Sequence, residues 1–178
     1  LNNKKGYFYN SESIVLPAVR DGVERVDLVD IDRDRDIDLI FTGRNLLDDE
    51  GKPARNQVLI MLNKGKGQFS DASSILLPPL KSGVIGTSIA DYDGDEYADI
   101  FLLYENGENV LLINNGLGEF ANASDTSLPR VAAKNRSADW ADFDGDGDND
   151  ILVVTDGIDK RHQAFPGEGW DTAARRPL

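Results

Sequence analysis

The sequence predicts an all-β fold of about three repeats, a pattern typical of a β-propeller or a β-solenoid. An aspartate-rich segment recurs three times, beginning at Asp30, Asp91 and Asp142, with offsets of 61 and then 51 residues. Short runs of β-branched and aliphatic residues flank each copy, and turn residues separate the runs. No window shows the apolar spacing of an amphipathic helix. We therefore expect several short strands connected by turns.

A second motif keeps the same offsets and sets the limits of the repeats. Residues 62–69 read Leu-Asn-Lys-Gly-Lys-Gly-Gln-Phe, and residues 113–120 read Ile-Asn-Asn-Gly-Leu-Gly-Glu-Phe. The N-terminal residues 1–8 and a weaker copy at 167–170 align with this motif. The chain then forms one domain over 1–178, with repeats at about 9–69, 70–120 and 121–170. The sequence opens on Leu1 without a starting Met, which indicates an interior start.

Each repeat is expected to run strand, acidic loop, strand, turn, strand, glycine-rich turn, strand. Asn106-Gly107 is a strong signal for a type I′ hairpin turn. The first repeat is longer because the connection over residues 42–57 contains an insertion near 46–55. We expect this insertion to contact a partner or a neighbouring subunit, with a decorative loop as the alternative.

The net charge of −13 comes from 32 acidic residues, many of them clustered at 30–38, 91–99 and 142–150. Close carboxylates repel one another by up to about 4 kcal/mol per pair at an effective dielectric near 20, so the clusters indicate a bound cation. The acidic balance argues against nucleic acid, which needs a basic patch. The chain has no cysteine, which excludes disulfides and thiolate metal sites. It also lacks the apolar stretch of about 18 residues that membrane insertion needs.

Numbered from its first aspartate, each acidic loop carries Asp at positions 1, 3, 5 and 9. Alternating side chains on a tight loop can point inward together, and calcium takes six to eight oxygen ligands. The identity of position 7 varies, which suits a backbone carbonyl ligand. The glycines at 94, 145 and 147 supply the positive φ that sharp turns need. The candidate metal ligands are Asp30, Asp32, Asp34, Asp36 and Asp38; Asp91, Asp93, Asp95, Tyr97 and Asp99; and Asp142, Asp144, Asp146, Asp148 and Asp150.

Other readings of these loops fit less well. Magnesium prefers to keep several waters, and the loops hold no His or Cys for zinc or copper. An EF-hand needs a glutamate at position 12 and flanking helices, whereas here the fourth acid is at position 9 and a strand follows. A solvated, aspartate-rich turn is the plain alternative for one loop, but three copies in register disfavour it.

The loop at 142–150, followed by a strand and then an Asn-x-Gly-x-Gly-x-Phe segment, resembles the FG-GAP or VCBS repeat over residues 1–170. The resemblance implies integrin-α-type propeller repeats with up to three Ca²⁺ ions, bound through side chains at positions 1, 3, 5 and 9 and the carbonyl at position 7. The first loop departs from the pattern with Arg33 and Arg35 where glycines are usual, and the second with Glu96. We therefore expect the first loop to bind calcium most weakly.

Propellers need four to eight blades to close, so three repeats predict a segment of a larger propeller or assembly. The resemblance implies a calcium-binding, extracellular, secreted or cell-surface module (a periplasmic one is the alternative) that binds a protein partner or other subunits. A carbohydrate-binding or carbohydrate-active domain is the second hypothesis. No catalytic residues are identified, since His162 lacks an oriented partner in the sequence and is expected at the surface. We expect Trp140, Tyr92 and Phe143 to pack in the core, with sugar stacking as the alternative.

Overall fold

A computed structural model describes residues 4, 5, 7, 22–43, 57–128 and 133–158 of the chain. The described residues form two four-stranded antiparallel sheets and one two-stranded sheet. The first sheet contains β1 (Arg25–Val29), β2 (Asp38–Thr42), β3 (Val58–Asn63) and β4 (Phe69–Asp71), and the second β5 (Val84–Ala90), β6 (Asp99–Tyr104), β7 (Val110–Asn114) and β8 (Phe120–Asn122). The third contains β9 (Ala133–Ala141) and β10 (Asp150–Ile158). Consecutive strands are neighbours in each sheet, which is the order that the sequence predicts for one blade.

The second strand of each four-stranded sheet is buried on both faces. All residues of β2 and β6 are buried, so these strands carry almost continuous apolar runs. The face of β2 that carries Ile40 packs against the face of β6 that carries Ile100 and Leu102, in one core shared by the two sheets. On its opposite face β6 presents Phe101, whose ring meets Trp140 of β9 edge-on at 6.1 Å between centroids. The three sheets therefore stack face against face, as blades do.

The first strands of the three sheets lie side by side. β5 contacts β1 of the preceding sheet and β9 of the following one. The Thr87 hydroxyl of β5 hydrogen-bonds the Asp27 carboxylate of β1. Further along, the Asn135 side chain of β9 donates to the Tyr104 carbonyl oxygen at 2.9 Å, at the end of β6 away from the acidic loops. Adjacent first strands with outer strands radiating from them are the arrangement of a β-propeller segment, and the described residues do not close a ring.

The third sheet has an open face at one end of this arc. Ile40, Phe101 and Leu152 occupy the same position in successive repeats and are 0%, 1% and 47% exposed. The first two are covered by the following sheet, and no further sheet follows β10 in the described residues. At the other end, Leu28 of β1 is 67% exposed on the face turned away from the second sheet, but Leu39, Phe41, Leu59 and Met61 on the same face of β2 and β3 are buried. The fold is therefore an all-β propeller segment, as expected.

Two one-turn helices were not expected from the sequence: α1 (Ser73–Leu76) and α2 (Ser124–Ser127). Each follows the last strand of its sheet and begins at a serine held by the residue two positions earlier. The Ser73 hydroxyl donates to Asp71 Oδ1 at 2.6 Å and accepts the Ile60 N–H of β3 at 2.8 Å. Ser124 repeats this pattern with Asn122 and Leu111. One turn is too short to show helical periodicity, which explains the omission.

The turn between β6 and β7 also differs from the expectation. The Gly107 N–H donates to the Tyr104 carbonyl oxygen at 3.2 Å, and φ is positive at Gly107 but not at Asn106. A type I′ turn requires positive φ at both central residues, so the prediction for Asn106-Gly107 was wrong. Five residues separate the two strands, and a longer loop of this kind ends with a left-handed glycine instead.

Several predictions concern residues outside the described ranges. These are the insertion at 46–55, His162, the motif copy at 167–170 and most of the copy at 1–8. No helix among the described residues is long and apolar enough to cross a membrane.

Candidate metal centres

The three acidic loops share one backbone conformation. Each loop joins the first strand of its sheet to the second. Positions 4 and 6 have positive φ in all three loops, at 58° and 75° for Arg33 and Arg35, 75° and 69° for Gly94 and Glu96, and 80° and 96° for Gly145 and Gly147. The predicted role of glycine at these positions is confirmed. The two arginines and Glu96 adopt the same conformation at a steric cost of about 1 kcal/mol each.

The first aspartate of each loop organises the backbone that follows it. Asp91 Oδ1 accepts the Gly94 N–H at 2.7 Å, and Asp91 Oδ2 accepts the Glu96 N–H at 2.9 Å. Asp142 accepts the corresponding N–H groups of Gly145 and Gly147 at 2.7 and 3.1 Å. These bonds wrap the loop around the carboxylate at position 1, so the remaining acidic side chains are gathered on a tight turn.

The aspartate at position 9 connects the loop to the rest of its sheet. Asp99 is fully buried, and its Oδ2 accepts the Tyr92 N–H while its Oδ1 accepts the Asn114 N–H, each at 2.8 Å. Asp38 makes the same two bonds with Ile31 and Asn63, at 2.9 and 2.8 Å. The position 9 carboxylate therefore ties the loop to the end of the third strand, in addition to lying near the other acids.

Carboxylate oxygens of three aspartates converge in every loop. In each trio, one oxygen per residue lies within 4.8 Å of the others. The trios are Asp30, Asp32 and Asp38; Asp91, Asp93 and Asp99; and Asp142, Asp144 and Asp146. The candidates Asp34, Asp95 and Asp150 lie outside the trios. At position 7, the N–H groups of Asp36, Tyr97 and Asp148 donate to the position 5 carboxylates at 2.8, 2.8 and 3.0 Å, which fixes the backbone there.

At least one aspartate in each loop has a raised pKa, with desolvation as the largest cause and neighbouring carboxylates adding to it. Burial raises the pKa of Asp99 to about 6; the Asn114 and Tyr92 N–H groups oppose the shift, and the charges of Asp93 and Asp95 add to it. The pKa of Asp144 is also raised, chiefly by desolvation and secondarily by repulsion from neighbouring aspartates. Without a counter-charge the ionised trios therefore destabilise the folded chain, and a cation would relieve this cost.

The first loop contains an observation that tests the fit to a metal ion. Asp30 Oδ1 is buried and has no hydrogen-bond partner in the described part of the chain, although Asp30 Oδ2 accepts the Arg35 N–H at 2.9 Å. A buried carboxylate oxygen without a partner is costly, and a hard cation is a fitting ligand for it. Arg33 does not fill this role, because its guanidinium pairs with Glu96 of the second loop at 3.0 Å. The donor set in the first loop therefore fits calcium despite its two arginines.

Three asparagines near the loops were not identified as functional from the sequence. Asn63 and Asn114 begin the glycine-rich turn, and their side chains donate to position 8 carbonyls, those of Ile37 and Ala98, at 3.1 Å each. Asn114 also donates to the Ile31 carbonyl oxygen of the preceding loop at 2.9 Å. Asn149 donates to the Asp91 carbonyl oxygen at 2.9 Å. The recurrence of Asn at the start of the glycine-rich turn could have identified Asn63 and Asn114. The hydrogen bonds of Asn114 and Asn149 to the preceding repeat have no sequence signature.

The aromatic residues beside the loops divide into two groups. Trp140 and Tyr92 are half-buried, and Trp140 packs against Tyr92 and Phe101 with both centroid distances 6.1 Å. Phe143 is 56% exposed, so the expectation of core packing was wrong for this residue. Its counterpart in the first loop, Ile31, is fully buried beneath the second sheet, whose Asn114 side chain reaches its carbonyl oxygen. No described sheet covers Phe143 in the same way.

Comparison with known proteins agrees with this geometry. The model of the FG-GAP-like repeat family matches residues 50–102 and 91–153, so its two copies overlap on the second acidic loop and extend through the third. No curated protein matches the chain. Because the family matches span more than half of the sequence, and the sheets and loops recur with them, the chain belongs to the FG-GAP-like repeat family.

Proposed function

We propose that the chain is a calcium-stabilised, extracellular β-propeller module that supports protein interaction, adhesion or assembly and has no enzymatic activity of its own. The observation that carries the proposal is the convergence of three carboxylates in each of three loops with one shared conformation. Membership of the FG-GAP-like family supports an interaction role outside the cell.

Calcium would be held by the aspartates at positions 1, 3, 5 and 9 and by the carbonyl at position 7. These residues are Asp30, Asp32, Asp34, Asp36 and Asp38; Asp91, Asp93, Asp95, Tyr97 and Asp99; and Asp142, Asp144, Asp146, Asp148 and Asp150. A bound cation supplies charge neutralisation and a rigid link between the first and second strands of a blade. The chain's own contribution is to hold the carboxylates together before binding, through backbone N–H groups that donate to positions 1 and 9.

The proposed role in assembly follows from apolar residues that are exposed at the two ends of the arc. Leu152 and Val154 are 47% and 49% exposed on β10, and Val26 and Leu28 are 48% and 67% exposed on β1. Their counterparts on the second sheet are covered by neighbouring blades. Apolar sheet faces of this kind gain free energy when another sheet covers them, at about 25 cal/mol per Å² of apolar surface.

The calcium proposal is tested by thermal unfolding with calcium and with a chelator. At ten times the dissociation constant, each occupied site adds about 1.4 kcal/mol to the free energy of unfolding. Three sites then add about 4 kcal/mol, which raises the melting temperature by roughly 8–16 °C for a domain of this size. The matched control is the triple variant Asp32→Asn, Asp93→Asn and Asp144→Asn, whose melting temperature should not respond to calcium. Equal responses of parent and control would refute the proposal.

A carbohydrate-binding role is the second candidate, and the exposed Phe143 ring is the observation that favours it. An exposed aromatic ring can stack on a sugar face. A glycan-binding screen of the parent and of Phe143→Ala would decide, since carbohydrate binding through this ring requires a signal that the variant loses.

A further inference from the structure

We infer that calcium binding in the first and second loops is positively coupled, so that occupation of one loop raises the affinity of the other. The inference rests on the proposed calcium sites and adds how they regulate each other. It is carried by two connections between the loops: a clasp formed by Arg33, Glu96 and Tyr97, and the buried side chain of Asn114.

Two members of the clasp, Arg33 and Glu96, occupy loop positions where a glycine would have no side chain to make this contact. Arg33, at position 4 of the first loop, lies 3.0 Å from Glu96 Oε2 of the second loop, measured from its Nη2 atom. The Arg33 Cζ atom lies 4.8 Å from the centroid of the Tyr97 ring, within the range of a cation–π contact. Two of the three departures of this sequence from the glycine pattern, Arg33 and Glu96, therefore pair with each other across adjacent blades.

Tyr97 connects the clasp to the proposed second metal site. Its carbonyl is the position 7 ligand candidate, and its N–H donates to Asp95 Oδ1 at 2.8 Å. Its ring lies against Gly116, where an added Cβ would come within 2.5 Å of Tyr97 Cζ. A cation that fixes the backbone at Tyr97 also fixes the ring on which Arg33 rests.

Asn114 provides the buried connection. It is 1% exposed, and its Nδ2 donates to the Ile31 carbonyl oxygen of the first loop at 2.9 Å and to the Ala98 carbonyl oxygen of the second at 3.1 Å. One side chain thus holds position 2 of one loop and position 8 of the next. When a cation orders either loop, the other loop loses part of its conformational freedom in advance, so the second cation binds with a smaller entropic cost.

The coupling can be measured in the full chain by calorimetric titration with calcium chloride. Asp142→Asn with Asp144→Asn disables the third loop and gives a two-site protein. Adding Asp91→Asn with Asp93→Asn leaves the first site alone, and adding Asp30→Asn with Asp32→Asn instead leaves the second alone. The coupling factor is the two-site binding constant divided by the product of the two single-site constants, and we expect at least about fivefold.

The control repeats all three titrations with Arg33→Gly and Glu96→Gly together. This pair preserves the net charge, and glycine already occupies the equivalent positions 145 and 147 with positive φ. Because the Asp→Asn changes are the same in both series, their direct electrostatic effects cancel in the comparison. We expect the clasp-free series to bind calcium at each site with a coupling factor at least about threefold smaller.

The possible outcomes separate this inference from the proposed function. Calcium binding at every site with the same coupling factor in both series, or a factor of one in the parent, would overturn the coupling and leave the calcium sites in place. Failure of the parent chain to bind calcium at all would overturn the proposed function and the coupling with it.

Discussion

Asn114→Ala should destabilise the chain far more than the same change at the equivalent residue of the first blade. The Asn114 side chain makes four hydrogen bonds to backbone groups: it donates to Ile31 and Ala98, and its Oδ1 accepts the N–H groups of Gly116 and Gly118 at 3.0 Å each. Asn63 makes two, donating to Ile37 and accepting the Gly65 N–H at 3.0 Å, at a more exposed position.

The magnitude follows from the groups that lose a partner. A buried polar group left without a partner costs about 1–3 kcal/mol, and water that enters the space vacated by Asn114 recovers part of this. For four backbone groups at a site that is 1% exposed, we expect a loss of about 3–5 kcal/mol. Asn63→Ala leaves two groups that solvent can reach, so about 1 kcal/mol is expected there.

Equilibrium unfolding in urea with saturating calcium measures both values, since each variant retains its acidic loops. The slope of the free energy against urea should be the same in parent and variants, which confirms that one folded state is being compared. Equal destabilisation by Asn114→Ala and Asn63→Ala would refute the reasoning, because the two residues have the same sequence context and differ in their contacts with the preceding blade.

Two further predictions concern the glycine-rich turn and the metal-free loops. Gly116→Ala should lower the free energy of unfolding, measured in urea, by about 1–3 kcal/mol more than Gly145→Ala does. Both glycines have φ near +80°, but only a Cβ at position 116 would clash with the Tyr97 ring. Equal losses of stability would contradict this close approach. Since the pKa of Asp99 is raised to about 6 in the folded chain, the folded state binds an extra proton between about pH 4 and 6. The metal-free chain should therefore lose stability as the pH rises through this interval. Urea unfolding in the presence of a chelator measures this, and a free energy of unfolding that increases from pH 4.5 to 7 would contradict it.

The local structure of each repeat could largely be predicted from the sequence. The spacing of Asp30, Asp91 and Asp142 predicts the loops and, with the apolar runs, the strand order of each blade, because strands and turns depend on neighbouring residues. The positive φ expected at Gly94 extends to Arg33, which shows that the surrounding bonds impose the conformation even where the residue does not favour it.

Contacts between blades could not be predicted in the same way. The bonds of Asn114 to Ile31 and the pairing of Arg33 with Glu96 join residues 83 and 63 positions apart, and nothing in either segment alone indicates the partner. The exposure of Phe143 has the same origin, since burial at that position depends on the following blade. The turn type at Asn106-Gly107 could not be predicted from these two residues alone, because the length of the loop decides it.

The contacts of Asn114 and Trp140 show that a loop of one repeat is covered by the repeat that follows it in the chain. The first two acidic loops are each covered by the sheet that follows them in sequence: Ile31 lies beneath the second sheet and Tyr92 beside Trp140 of the third. The structural unit that completes one loop therefore begins in one repeat and ends in the next, so it is longer than the sequence repeat. Fragments designed for expression should be cut with this overlap in mind, because a boundary placed between repeats would leave the last loop without its cover. The same overlap makes the arc extendable, since each added repeat completes the loop before it and offers a new one.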